Sequence, residues 1–232
     1  MQIQTFSEDY LWWIAKQSVD NETPRHLGEN TNKRNEVKYA LVFGRYEKLL
    51  VELAEIVTES ERRILADEPD EFFTSHANFL VKSYLISLCS YLEVFLKEIA
   101  REHVNQIQER VAIAKIPHNI LLWSTSAEVR DKDLAFKTFV LPLNDKDIDE
   151  EISGNPFRTA KLLKYLGVDI ERVEDYLSLR TLVNSVVGKR NNIVHHNDSA
   201  TDISLGDLRL YIGYFKSYGE GVVRAFQGQL PQ

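Results

Sequence analysis

Cysteine is almost absent: Cys89 is the single thiol in 232 residues. One cysteine excludes an intramolecular disulfide, and a reducing compartment is the simplest setting. Proline and glycine are scarce as well, at 6 and 10 residues. An all-β chain needs a turn every ~8–12 residues and usually spends Gly and Pro on them, so this scarcity favours long helices with few connections. No uninterrupted apolar run approaches the ~20 residues of a membrane span; the best stretch, Ser83–Leu92, is short and flanked by Lys82 and Glu93. Met1–Tyr10 lacks the basic stretch and apolar core of a secretory signal. The expected protein is therefore soluble, intracellular and cytoplasmic. A positive excess is also missing. The net charge is -7, which argues against a broad electrostatic face for duplex nucleic acid. There is no Gly-rich phosphate loop. His26, His76, His103 and His118 stand singly, without metal-ligand spacing. No cofactor and no metal are expected.

What remains is ordinary globular composition with helical periodicity. Ser7–Val19 reads as a short helix capped by Ser7 and carrying Trp12 and Trp13, and Asp20–Arg34, with Pro24 and Gly28, as a loop. These make residues 1–34 an N-terminal arm and residues 35–232 the main helical domain. A long helix is predicted from Asn35 to about Glu68, where Pro69 stops it, with Val37, Leu41, Leu49, Leu53 and Ile56 at helical steps. A second runs from Asp70 to about Ala112 with a wide stripe that includes Leu85, Leu88, Leu92 and Phe95. The two should pair antiparallel, the second being central. Residues 113–144 show no clear period. Asp145–Ile152 reads as a short helix. Asn155–Pro156 starts another, which Gly167 ends. A further helix runs from about Ile170 toward His195, and a last one follows Ser204, whose spacing to Asp207 is that of a capping box. The fold class is all-α, an antiparallel helical bundle with long central helices.

One helix carries an anomaly. Leu179, Leu182, Val183, Val186 and Val187 form an apolar stripe that resumes at Ile193 and Val194, and the position between them is Arg190. A charged guanidinium on such a face needs a cleft, a second subunit or a carboxylate. Glu93 is expected to pair with Lys97, four residues on, with Arg190 as its other candidate partner. Asn191 and His195 are four apart and share a side of the helix. Arg190 and His195 are five apart, roughly 140° around it, and converge only if the Arg side chain reaches across or the last turn loosens. Arg offers a fork of donors for phosphate oxygens, and His exchanges a proton near neutrality. With RNA supplying its own 2′-OH nucleophile, these two groups suffice for strand cleavage without metal. The alternative is structural: an Arg paired with a carboxylate and a His capping the helix C-terminus. Between Asn155 and His196, seven basic residues stand against four acidic ones, a net of +3 that leaves -10 for the rest of the chain.

The run Arg190-Asn191-Asn192-Ile193-Val194-His195 resembles the Arg-Asn-x-x-x-His signature of the HEPN superfamily (higher eukaryotes and prokaryotes nucleotide-binding domain). Tyr84–Ala100 is similar to the aromatic, leucine-rich helix with a central Glu of such domains. Gly154-Asn155 and Leu162–Gly167 are similar to the segment before the signature helix in bacterial members. The resemblance covers about Asn35 to Phe226. It implies a homodimer in which two signature helices face each other, and a metal-independent endoribonuclease of the kind that acts as a toxin or in phage defence, with an antitoxin or other defence-system protein as partner. Arg190 would then bind the scissile phosphate, His195 would be the general acid and base, and Asn191 the orienting residue. His196 is the second histidine candidate. Some members are catalytically silent and serve as protein- or nucleotide-binding modules, which is the alternative function.

Overall fold

Two 38-residue helices form the spine of the molecule, α1 (Leu27–Ile64) and α3 (Ala77–Ala114). The computed structural model describes residues 27–196, 200 and 202–228, with side chains from Glu36 onward, that of His196 excepted. The expected Ser7–Val19 helix lies outside the described residues. α1 begins eight residues before the predicted Asn35. Pro24 is the last helix breaker before it, and Gly28 falls in the first turn, where it costs the helix little. α1 stops at Ile64, short of Pro69. The run expected from Asp70 divides into α2 (Glu71–Ser75), capped by the Asp70 carboxylate, and α3. The break falls at His76, whose backbone N–H and ring Nδ1 both bond Phe72 O, at 3.1 and 2.9 Å.

α1 and α3 pair antiparallel, as the Arg45–Glu98 ion pair at 2.8 Å and the Ser60–Tyr84 hydroxyl pair at 2.8 Å show. Along the chain follow α4 (His118–Thr125), a 3-10 turn Asp131–Asp133, α5 (Asp145–Glu151), α6 (Pro156–Tyr165), a 3-10 turn Ile170–Arg172, α7 (Glu174–His196) and α8 (Leu205–Gln227). Among the described residues no strand forms, and residues 117 and 138 make an isolated antiparallel bridge. In the aperiodic 113–144 segment α4 has no buried residue, while Leu141 and Leu143 pack against the core.

The start signals read from the sequence act as expected. Asn155 and Ser204 cap α6 and α8 with their side chains, Pro156 is the first residue of α6, and Ser204 and Asp207 complete a reciprocal box; Asn144, not singled out in the sequence, caps α5 in the same way. At the end of α6, Gly167 has φ +80°. Gly167 N–H bonds Lys164 O and Val168 N–H bonds Leu163 O, the paired bonds of a Schellman end. The predicted helix from Ile170 is interrupted, with one 3-10 turn before α7 starts at Glu174.

α3 is central. Leu85, Leu88, Cys89, Leu92, Phe95, Leu96 and Ile99 are buried among α1, α7 and α8. Contrary to the sequence expectation, α3 is by length and composition apolar enough to cross a membrane, and 39% of its most apolar stretch is buried in the bundle. A buried polar cluster also joins four elements. His103 Nε2 faces Leu166 O at 3.2 Å, and a carbonyl only accepts, so Nε2 carries the proton. Nδ1 then accepts from the Tyr39 hydroxyl at 2.7 Å, Gln106 Oε1 lies 3.0 Å from the same hydroxyl, and Phe226 packs edge-on against the ring.

Candidate active site at the end of α7

α7 presents its apolar stripe to the bundle: Val183, Val186, Val187 and Ile193 are buried, whereas Val194, expected on the same stripe, is half exposed. Arg190 occupies the gap in the stripe and faces α3. Its Nη2 donates to Glu93 Oε2 at 3.2 Å, and Lys97 Nζ donates to the other oxygen, Oε1, at 2.8 Å. Glu93 thus takes both partners rather than Lys97 in place of Arg190. The side chains are 19% (Arg190) and 28% (Glu93) exposed, so the pair lies at the rim of the core, neither sealed nor fully solvated.

The other terminal nitrogen, Nη1, donates to Asn191 Oδ1 at 3.1 Å. Nε is buried and has no partner among the described residues. A guanidinium has five N–H donors, so these contacts leave one on each terminal nitrogen while fixing the plane of the group. Cys89 lies on the inner side of this site. Burial pushes its thiol up to about 12, and the nearby Arg190 charge offsets this only in part, so Cys89 is no nucleophile at neutral pH.

Asn191 and His195 are both exposed and one helical turn apart. α7 is helical through His196, so its last turn does not loosen. Arg190 and His195 therefore point in different directions, and Asn191 is what bridges them: it accepts from Arg190 and shares a side with His195. Within one chain the structure brings together Glu93, Arg190 and Asn191, and leaves His195 on the outer surface. The His196 side chain lies outside the described residues. Among those residues, no three His, Cys, Asp or Glu side chains cluster to hold a metal ion.

Sequence reasoning missed one link. Asn155, besides capping α6, donates through Nδ2 to Asn184 Oδ1 at 3.0 Å. The Tyr176 hydroxyl donates to Pro156 O at 3.2 Å. Gly154 packs so close to α7 that an added Cβ would lie 3.3 Å from Val187. Arg180, Asn184, Val187 and Asn191 recur at steps of four, three and four, a spacing that marks one side of α7 and was visible in the sequence.

The profile of the RiboL-PSP-HEPN family matches residues 45–228, most of the chain. The chain belongs to the RiboL-PSP-HEPN family. The match runs from within α1 to the end of α8, so the whole α7 site lies inside the HEPN domain. Its all-α fold is that of the class expected from the resemblance. No curated protein and no solved structure matches the chain.

Proposed function

We propose that this HEPN protein is a metal-independent endoribonuclease of the cytoplasm, acting as a homodimer in a toxin or phage-defence role. The observation that carries the reading is the guanidinium of Arg190, fixed by Glu93 and by Asn191, with an exposed His195 one helical turn beyond Asn191. The 2′-OH of RNA attacks the adjacent phosphorus. His195 takes the hydroxyl proton and returns one to the departing 5′ oxygen, and Arg190 stabilises the extra negative charge on the phosphorane. Asn191 orients Arg190. The products are a 2′,3′-cyclic phosphate and a 5′-hydroxyl. A second copy set against the exposed Asn191–His195 turn supplies the facing groups that one α7 holds apart.

The Glu93 ion pair favours a second reading, a catalytically silent HEPN dimer that binds a protein or nucleotide, because it occupies one of the two terminal nitrogens. The substrate decides between them. An RNA whose cleaved nucleotide carries 2′-deoxyribose should resist the protein, while its all-ribose twin yields cyclic-phosphate ends. Cleavage of both at equal rates contradicts 2′-OH attack, and cleavage of neither favours the silent module.

A further inference from the structure

α6 has a one-sided surface. Pro156, Thr159, Ala160 and Leu163 are buried. Its exposed residues, Phe157, Arg158, Lys161, Lys164 and Tyr165, are all aromatic or basic. They fall on an arc of roughly 120° around the helix. No acidic residue occurs in α6, in a chain of net charge -7. Phe157 is 48% and Tyr165 77% exposed. Arg180 of α7 lies over the Phe157 ring, 5.6 Å from its centroid. Lys164 pairs with Glu171 at 2.5 Å, and Arg180 lies 3.6 Å from the other oxygen of the same carboxylate. Arg158 donates to the backbone carbonyl of Glu150. No ion pair holds Arg158 or Lys161 to a carboxylate among the described residues.

Exposed rings interleaved with cations are what a single strand needs. Unpaired bases stack on the rings, and the backbone follows the charges. The face also leads to the site. Arg180, beside Phe157, shares a side of α7 with Asn184 and Asn191, which flank the buried Val187, and His195 follows one turn after Asn191. α5, which contacts α6, has the sequence Asp-Lys-Asp-Ile-Asp-Glu-Glu, so the basic face of α6 contrasts with an acidic neighbour.

We propose that the outer face of α6, with Arg180, is a binding track for single-stranded RNA that delivers the strand to the α7 site. The inference rests on the ribonuclease reading for its destination and on α6 itself for the binding. The test uses the full chain carrying His195→Ala, so that bound RNA is not cut. Fluorescence anisotropy with a labelled mixed-sequence single strand, and with a duplex of equal length, reads the affinity. Adding Phe157→Ala and Tyr165→Ala weakens single-strand binding about tenfold or more. Adding Arg158→Gln and Lys161→Gln instead lowers the salt slope of binding by roughly 1.4. Circular dichroism checks that helicity persists; all four side chains are exposed.

Binding within twofold of the parent in both variants, with an unchanged slope, overturns the track. So does no binding of RNA at all, or a duplex held as tightly as the single strand. Cleavage by the unsubstituted chain is scored separately. Cleavage together with binding indifferent to these four residues removes the track and leaves the enzyme. Binding that depends on them without any cleavage removes the enzyme and leaves the track.

Discussion

Burial sets the behaviour of individual side chains in ways that solution measurements can reach. His103 is buried, and desolvation lowers its pKa below the usual histidine range. The unfolded chain therefore takes up a proton at higher pH than the folded one. The stabilisation is complete above the unfolded value of about 6.5 and is lost as pH falls below it. Thermal melts between pH 7 and 5 should show the midpoint falling, with a smaller fall in His103→Gln; an equal fall in both proteins would mean that other groups set the slope. Tyr218 is a contrasting case. Its ring is fully buried, and its hydroxyl has no hydrogen-bond partner among the described residues. Removing an unsatisfied buried hydroxyl relieves its desolvation cost, so Tyr218→Phe should raise stability by about 1 kcal/mol in a urea titration. Destabilisation by a similar amount would show that the hydroxyl is bonded in solution. Arg190 was the one residue whose oddity was plain in the sequence, because a charge interrupts an apolar stripe. Its binding to Glu93 was legible only as a choice between partners, since the two lie 97 positions apart and their meeting depends on how α3 packs on α7.

At the level of helices, legibility followed how local the chemistry is. Asn155–Pro156, Ser204 with Asp207, and Gly167 act within one turn of their own positions, and all three boundaries stand where the sequence put them. The start of α1 and the break at His76 were not legible. Residues 27–34 are largely polar and include Gly28, so they read as loop, and the ring of His76 bonds back to the α2 carbonyl of Phe72 in a way no periodicity encodes. The regular end of α7 was not legible either, because Asn197 and Asp198 after His196 suggest an earlier loosening. Packing between helices supplies a further test. α8 crosses α1 at Gly219, where an added Cβ would stand 2.8 Å from Tyr46 Cε1 and 3.1 Å from Phe43 Cε2. Tyr46 cannot easily yield, because it stacks on Phe95 at 4.5 Å and donates its hydroxyl to Phe215 O at 3.1 Å. Gly219→Ala should cost about 1–3 kcal/mol in chemical denaturation despite the higher helix propensity of alanine. A neutral or stabilising result would mean that the crossing is looser than the structure shows.

For the molecule as a whole, the HEPN architecture assigns a division of labour. The α1–α3–α8 core is the support, α7 lies on it with Arg190 turned toward α3, and Asn191, Val194 and His195 near its end are exposed. Glu93, on the central helix, holds Arg190 in place, so the site is built on the best-packed part of the bundle rather than on a loop. The 140° separation of Arg190 and His195 on a regular helix is the feature that most constrains function, because one chain alone does not converge them on a phosphate. The proposed homodimer would resolve this with a facing copy set against Asn191, Val194 and His195, all of which are exposed. The decisive measurement is cleavage of a mixed-sequence RNA by the purified protein in EDTA, beside Arg190→Ala and His195→Ala. Cleavage by the unsubstituted chain is expected to fall at least a hundredfold in each variant, with helicity and dimerisation retained. Cleavage that survives both substitutions would place the activity elsewhere and contradict the α7 site.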